Sequence, residues 1–305
     1  MIAASIDIGS NTVRLLIAAV VNGRICSVLY QQRAITRLAE GLEYTNKLSE
    51  DAILRTLSVL KQFVKKTKEY DAVKVIAVST SAVREAENSN YFLAGAKNIG
   101  LNIDVIDGTN ESYLTFLGVK SGINIEGKKT LIFDIGGGST EFVFYNGRRV
   151  AFSCSLNLGA VKLSEKFEMA DVVNQTTKNM LISDINKTLS QIIWREIKPE
   201  MLVGTAGTVT TLAAIDLQME QYNPEIINGH VLQRERIDDM LLNLMLVNAE
   251  SRSAKKGLEK GREDLIIPGG LIVLQIMKFA ESDSLVVSDN GLREGILIQA
   301  ADAGN

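Results

Sequence analysis

The sequence predicts an α/β protein made of two related halves, each with its own mixed sheet, and three observations support this class. The segment IDIGSNT at residues 6–12 returns in outline as FDIGGGS at residues 133–139. In both halves a second apolar stretch follows and ends in the letters Asn-Gly-Arg, at residues 22–24 and 146–148, which is a strong hairpin signal. The predicted order of elements is βββαβαβα in each half, so two mixed sheets are expected.

A helix is predicted after the first hairpin. Ser49 is placed to cap it, and the next two residues are acidic, which favours a helix N-terminus. The helix carries an apolar stripe at helical spacing, formed by Ile53, Leu57, Leu60 and Val64. The remaining elements predicted in this half are a strand at 74–79, a helix around 90–99, a strand at 103–106 and a helix from Asn110.

The second half repeats this order with a longer helical middle. The predicted elements are strands near 130–134, 141–145 and 149–157, a helix near 172–194, a short strand at 201–203, further helices, a strand at 284–288 and a helix from Asn290. We therefore predict domains at residues 1–117 and 118–305 that enclose a cleft. The last helix, about 290–305, is expected to pack back on the first domain.

Composition narrows the chemistry. The 305-residue chain has a net charge of −3, which argues against broad nucleic-acid binding but is compatible with a local basic site for a polyanion. The single histidine, His230, excludes metal sites that need several imidazoles and disfavours a Ser-His-Asp triad. A catalytic acid or base is therefore expected to be a carboxylate.

The N-terminus and the apolar segments bear on location. No apolar run reaches the roughly 20 residues that span a bilayer, and the first nine residues lack the basic region of a signal peptide. We expect a cytoplasmic protein without a membrane span. Cys26 and Cys154 are too few for a disulfide framework, so both are expected to be buried thiols.

Three glycine-containing turns follow predicted strands and could offer backbone N–H groups to phosphate. The third, at residues 204–208, also opens a helix, whose N-terminus favours anions. The expected phosphate contacts in these turns are Ser10, Asn11, Thr12, Gly136, Gly137, Gly138, Ser139, Gly207 and Thr208. A simple tight turn is the alternative for each, but three together favour a polyphosphate ligand. The Walker-like residues 122–129 lack the closing Ser or Thr and lead into a strand, so we reject them.

Carboxylates stand beside the second turn. Asp134 ends one predicted strand and Glu141 begins the next, so a hairpin can bring both to one magnesium ion. A solvated strand residue is the alternative for Glu141. Asp7 is the equivalent acid of the first half, and it holds either a metal-bound water or the turn itself.

Two further residues of the first half are candidates for the reaction. Glu111 could orient and deprotonate an attacking water, although a glutamate at a helix start is more typical of a dipole partner. Arg84 could clamp a phosphate with its planar guanidinium, and a surface ion pair with Glu85 or Glu87 is the alternative.

These residues resemble the exopolyphosphatase and guanosine pentaphosphate phosphohydrolase (Ppx/GppA) family. The matching segments are 6–12 with Arg14, 80–86, 108–112, 133–141, 204–212 and 288–295. The resemblance implies two ribonuclease H-like domains of the actin, Hsp70 and sugar-kinase superfamily, and magnesium-dependent hydrolysis of a terminal phosphate without a phosphoenzyme. It assigns the base to Glu111, the metal or water ligands to Asp134 and Glu141, and phosphate contacts to Arg84 and the turns.

Two departures from the family pattern affect substrate preference. Asn110 and Tyr113 stand where the family often has glutamate and arginine, and the chain stops where longer members continue into a helical domain. We expect an exopolyphosphatase acting on inorganic polyphosphate, and a homodimer by family analogy.

Hydrolysis of guanosine pentaphosphate to the tetraphosphate, or of nucleoside triphosphates, is the enzymatic alternative. A non-catalytic sensor of polyphosphate or alarmone belongs to another class and is disfavoured because the three carboxylates are retained. A kinase or ATPase is disfavoured too, because we find no signature of an adenosine pocket or of an acceptor-sugar base.

Overall fold

A computed structural model describes residues 1–302, which form two compact units with one mixed sheet each. The first unit comprises Met1–Ser121 and the segment from Asn290 onward, and the second is Gly122–Asp289. The predicted boundary between residues 117 and 118 falls inside the helix Gly108–Gly122, and the structure divides at the end of that helix. A helix is a rigid element, so its end is the more natural boundary.

The first unit follows the predicted order of elements, with two short extra helices. Its elements up to the boundary are β1 (Ile2–Ile8), β2 (Thr12–Val21), β3 (Arg24–Ile35), α1 (Leu42–Thr45), α2 (Glu50–Glu69), β4 (Lys74–Ser79), α3 (Ser81–Glu85), α4 (Ser89–Asn98), β5 (Ile103–Val105) and α5 (Gly108–Gly122). The sheet order is β3-β2-β1-β4-β5, in which β1 pairs antiparallel with β2 and parallel with β4.

Helix α2 forms where its cap and apolar stripe predict it. Ser49 Oγ accepts a hydrogen bond from the N–H of Ala52 at 3.2 Å and so satisfies one of the unpaired donors of the first turn. The buried face of α2, which includes Ile53 and Phe63, belongs to the same hydrophobic core as Ile6 and Ile8 of β1. Ile8 is the last residue of β1, so this core reaches the point where the first glycine turn begins.

The second unit has more helices than the first and one strand that the pattern did not predict. Its elements are β6 (Lys129–Ile135), β7 (Thr140–Asn146), β8 (Val150–Leu156), α6 (Ala160–Lys166), α7 (Gln175–Leu189), a 3₁₀ turn (Trp194–Glu196), β9 (Met201–Thr205), α8 (Ala206–Asp216), α9 (Pro224–Ile227), β10 (Val231–Gln233), α10 (Arg234–Met245), α11 (Ala249–Arg252), α12 (Ile266–Phe279) and β11 (Ser284–Val287). The sheet order is β10-β11-β9-β6-β7-β8.

The helix predicted near 172–194 is shorter in the structure. It starts at Gln175 because the Asn174 side chain accepts a hydrogen bond from the N–H of Thr177 at 2.9 Å, which is an N-cap. It ends at Leu189, and the chain then turns before the separate 3₁₀ turn. Strand β10 was not predicted because it is three residues long and buries only Leu232. So short a segment shows no alternation of apolar and polar residues that would indicate a strand.

The chain returns to the first unit in the last helix, α13 (Leu292–Asp302). Leu297 and Ala301 of α13 pack against Leu16 and Ala18 of β2. Alternate residues of β1 point to the two faces of its sheet, so α13 covers the face opposite to that covered by α2. Ser5 of β1 donates a hydrogen bond from Oγ to the carbonyl of Arg293 at 2.8 Å on this face.

Within each unit, an asparagine side chain links the two points where the chain enters and leaves that unit. In the second unit Asn228 donates from Nδ2 to the carbonyl of Gly122 at 3.1 Å and accepts at Oδ1 from the N–H of Asp289 at 3.1 Å. In the first unit Asn290 Nδ2 donates to Ser121 Oγ at 3.2 Å. The ends of the second unit are therefore neighbours in that unit.

Two expectations about the surface have different outcomes. Cys26 is exposed rather than buried, because it lies on the edge strand β3, where one face of the strand meets solvent, and Cys154 is half-buried. Over residues 1–302, none of the helices is both long enough and apolar enough to cross a bilayer.

Helix α13 approaches α5 so closely that only glycine fits at Gly295. A Cβ there would lie 1.8 Å from the carbonyl oxygen of Leu114, a backbone atom that cannot move alone. We predict that Gly295→Ala lowers the free energy of unfolding by about 1–3 kcal/mol, as overpacking does, measured by urea denaturation.

Gly95→Ala in α4 is the matched control, because its Cβ would meet only the Cδ1 end of Leu57 at 2.6 Å. Its destabilisation should be offset by the higher helix propensity of alanine, about 1 kcal/mol. Equal unfolding midpoints for the two variants would contradict the proposed backbone contact.

Candidate active site

The two Asp-Ile-Gly turns of the repeat have the same backbone geometry. The N–H of Gly9 donates to the carbonyl of Thr12 at 3.1 Å, and the N–H of Gly136 donates to the carbonyl of Ser139 at 2.9 Å. Both turns join two antiparallel strands at the carboxyl end of the first strand, β1 or β6. The repeat predicted from the sequence is therefore present in the three-dimensional fold.

Both turns leave backbone donors unused. Within residues 1–302, the N–H groups of Ser10 and Asn11 in the first turn, and of Gly137, Gly138 and Ser139 in the second, donate no hydrogen bond. Backbone N–H groups are almost always paired in folded proteins unless water or a ligand meets them. Successive unpaired N–H groups form a concave anion site, so each turn can hold a phosphate oxygen.

Helix α6 fixes the direction of the glycine donors. The N–H groups of Ala160 and Val161 donate to the carbonyls of Gly136 and Gly137 at 3.0 and 2.9 Å. The N–H of each following residue lies on the opposite side of its trans peptide, so it points away from α6. Gly159 permits this approach, because a Cβ there would lie 2.1 Å from the Gly137 carbonyl oxygen.

The third turn opens helix α8. Ala206 has a φ of 67°, a left-handed conformation that costs a non-glycine residue about 1–2 kcal/mol. Such strain is found where a functional geometry requires it. Helix α8 adds unpaired N–H groups and a partial positive charge beside the buried Thr208.

An arginine that sequence reasoning missed lies at this third turn. A Cβ on Gly207 would lie 2.3 Å from Nη1 of Arg262, so the guanidinium passes directly over the backbone of this glycine. Arg262 is buried and its Nε donates to Glu259 at 2.7 Å. The surrounding sequence carries no local motif that would have indicated this position.

In the first unit, Arg84 and Glu111 are brought together. Arg84 Nη1 donates to the carbonyl of Ile106 at 2.6 Å and lies 3.5 Å from Glu111 Oε2. Arg84 therefore forms an ion pair with Glu111 of α5. In the described part of the chain, its Nε and Nη2 donate to no protein acceptor, which leaves donors for an anion.

Glu111 is buried, with 8% of its surface exposed, at the first turn of α5. The side chain that caps this helix is Asp107, whose Oδ1 accepts from the N–H of Asn110 at 2.8 Å. Asp107 therefore caps the helix, and Glu111 is not needed for that purpose. Ser10 reaches the same region of the unit through its Oγ, 3.1 Å from Ser81 Oγ at the start of α3.

Asp7 lies near the end of β1, opposite Arg14 of β2. Burial raises the pKa of its carboxyl group, and the positive charges of Arg14 and Arg293 oppose that rise. Asp7 belongs to the first unit, as do Ser10, Asn11, Thr12, Arg84 and Glu111. The other predicted site residues belong to the second unit.

Asp134 and Glu141 face each other on β6 and β7 of the second unit, as cross-strand partners next to the glycine turn. Glu141 is 2% exposed and accepts from Ser155 Oγ at 2.7 Å, so it is not a solvated strand residue. Residues 1–302 contain no cluster of three or more Asp, Glu, His or Cys side chains able to hold a metal ion. Two carboxylates with substrate and water oxygens are nevertheless the donor set that Mg²⁺ prefers, so this pair fits it.

Each unit has a mixed sheet with a glycine turn whose N–H groups are unpaired among the described residues. This arrangement places the chain in the class of phosphate-binding α/β proteins. Residues 16–303 match the model of the Ppx/GppA phosphatase family. The chain belongs to this family, and the resemblance seen in the motifs is confirmed.

Two curated relatives and one solved structure illustrate the match. The chain is 33% identical to the bifunctional 3-dehydroquinate synthase/phosphatase of Fusobacterium nucleatum over 98% of its own length, but spans only 46% of that protein. It is 30% identical to exopolyphosphatase 2 of Mycobacterium tuberculosis, and 98% of each chain is covered. The crystal structure of the Aquifex aeolicus Ppx/GppA family member has a TM-score of 0.83 at 34% identity, with 100% of this chain and 99% of that chain covered. The predicted α/β class and the actin-like fold of the family are thereby confirmed.

Proposed function

We propose that the protein is an exopolyphosphatase that hydrolyses the terminal phosphate of inorganic polyphosphate with an activated water. The observation that carries this proposal is the glycine turn of the second unit, whose unpaired N–H groups adjoin the facing carboxylates Asp134 and Glu141. Phosphoryl transfer needs positioning and neutralisation of charge more than covalent chemistry. Membership of the Ppx/GppA family and the exopolyphosphatase among its relatives support the same substrate class.

In this proposal Asp134 and Glu141 hold Mg²⁺ or another divalent cation, and Asp7 is the corresponding acid of the first unit. When bound, the cation would neutralise phosphate charge and polarise the phosphoanhydride. The N–H groups of Gly137, Gly138 and Ser139 would position the phosphate oxygens, and Ser155 orients Glu141 by its hydrogen bond. The third turn, with Gly207 and Thr208, supplies donors for a further phosphate of the chain.

Glu111 is the proposed general base. Its carboxylate is buried and held at Arg84, whose remaining guanidinium donors would bind a substrate phosphate.

The neutral isostere tests this role. We predict that Glu111→Gln lowers kcat by about 100-fold or more while changing KM little, because positioning is kept and the base is lost. Phosphate release from long-chain polyphosphate at saturating Mg²⁺ measures both constants.

Glu87→Gln is the matched control, since Glu87 is exposed and lies 4.0 Å from Lys47 in a surface pair of little energetic value. An active Glu111→Gln enzyme would remove Glu111 from the role of base.

A second prediction concerns the cation. Ser155→Ala removes the hydrogen bond to Glu141 Oε1, and loss of such an orienting partner costs about 10–100-fold in metal affinity. The Mg²⁺ concentration for half-maximal activity should rise accordingly, with recovery at high Mg²⁺, and chelation should abolish activity in every variant.

Ser153→Ala, two residues away on the same face of β8 and exposed, should leave the Mg²⁺ dependence unchanged. If both serine variants needed the same Mg²⁺ concentration as the unmodified enzyme, Glu141 would not be a cation ligand.

The substrate itself requires a direct comparison. Phosphate release from long-chain polyphosphate, guanosine pentaphosphate and ATP should be compared at equal concentrations of enzyme and terminal phosphate. We expect polyphosphate to be preferred. Preference for the guanosine nucleotide would assign the protein to the second activity in the family name, and no release from any substrate would favour a sensor.

Two further features stay predictions. They are the cytoplasmic location and the homodimer, of which the second derives from the family resemblance. Sedimentation of the purified chain tests the second, and a monomer at assay concentration would contradict it.

A further inference from the structure

We propose that the second unit carries a separate binding site for an aromatic anion of nucleotide size. The site is a cavity of about 510 Å³ between the C-terminal end of α12, the 3₁₀ turn and the segment that leads into β9. Ligand cavities for small molecules span roughly 300–1,000 Å³, so this volume suits a mononucleotide. The proposed hydrolysis does not use this cavity.

The cavity lies at the opposite end of the sheet from the glycine turns. Its lining residues Ile197–Pro199 directly precede β9, and Lys278–Glu281 precede β11. The two strands are parallel, and the carboxyl end of β9 leads into the turn at Gly207. With five residues at about 3.3 Å each, β9 separates the two ends by about 15 Å. A ligand here would therefore not occupy the phosphate turns.

One wall of the cavity is aromatic and fixed in place. Trp194 and Phe279 stack with ring centroids 5.3 Å apart at 25°, and the indole Nε1 donates to the carbonyl of Leu189 at 2.8 Å. The indole also meets Phe142 of β7 edge-on at 5.9 Å. Both aromatic residues remain half-exposed although Phe142 is buried. A rigid, partly open aromatic surface favours a planar ring as its ligand.

The polar lining complements that wall. Lys198 and Lys278 are exposed, and neither forms an ion pair with any residue in the described range 1–302. Among the described residues that line the cavity, Glu281 is the one acid. Two cations against one carboxylate favour an anionic group such as a phosphate.

Asn186 adds a group suited to a base edge. It lines the cavity, and its Oδ1 is buried without a hydrogen-bond partner in the described part of the chain. A side-chain amide offers both donor and acceptor atoms, which match the edge of a nucleobase. An inorganic phosphate chain has neither a ring for the aromatic wall nor a base edge for the amide, so a nucleotide fits better.

The single tryptophan of the chain makes this site measurable. Trp194 lines the cavity, so intrinsic fluorescence reports on it without engineering. We expect ADP and GDP to quench Trp194 saturably in the unmodified chain and in Glu111→Gln. Quenching should persist at saturating tripolyphosphate, which would occupy the phosphate turns. Abolition of the signal by tripolyphosphate would overturn the proposal of a separate site.

Lysine variants decide the location. The double variant Lys198→Ala/Lys278→Ala should raise the Kd for the nucleotide, obtained from the quenching curve, about tenfold or more, because charge-assisted contacts are lost. The pair Lys61→Ala and Lys65→Ala on α2 of the first unit is the control and should leave the quenching curve unchanged. Absence of quenching by either nucleotide, or equal affinity in the two double variants, would overturn the proposal. Phosphate release is assayed separately, so failure here would leave the proposed hydrolysis untouched.

Discussion

The geometry of the candidate active site depends on the hydrogen bonds that the glycine carbonyls of the second unit accept on one side of the turn. Helix α6 donates two backbone N–H groups to those carbonyls, and Gly159 lets it come close enough to do so. Because each peptide is planar, the donors of the turn must then point the other way. The candidate phosphate site of this turn therefore depends on backbone geometry, to which charged side chains only add.

Charged side chains lie close to these turns, at the ends of the neighbouring strands. Asp134 and Glu141 are held opposite each other by the register of β6 and β7, and Ser155 on β8 fixes one of the oxygens. In the first unit, Arg84 occupies a short helix after β4 and Glu111 the first turn of α5, and their ion pair joins two elements that follow parallel strands. The sheet thus sets which groups meet.

Local patterns in the sequence predict much of this structure, because turns and strands depend on neighbouring residues. The repeat, the two Asn-Gly hairpins and the pairing of Asp134 with Glu141 follow from short segments. Contacts between distant residues do not. Arg262 reaches Gly207 only through the path of α11 and α12, and the burial of Glu111 depends on packing around α5 that no periodicity shows. Cys26 is exposed because β3 is an edge strand, and edge position follows from sheet order rather than from sequence.

The asparagine hydrogen bonds at the two points where the chain passes between the units have a consequence for protein engineering. Residues 122–289 are one uninterrupted segment whose ends are held together by Asn228, so the second unit has the topology of an insertion. The first unit is completed only by the last helix, which covers Leu16 and Ala18. A gene encoding the inserted segment alone could yield a freestanding domain, whereas the host unit would need its cut ends at Ser121 and Asn290 sealed by a short linker.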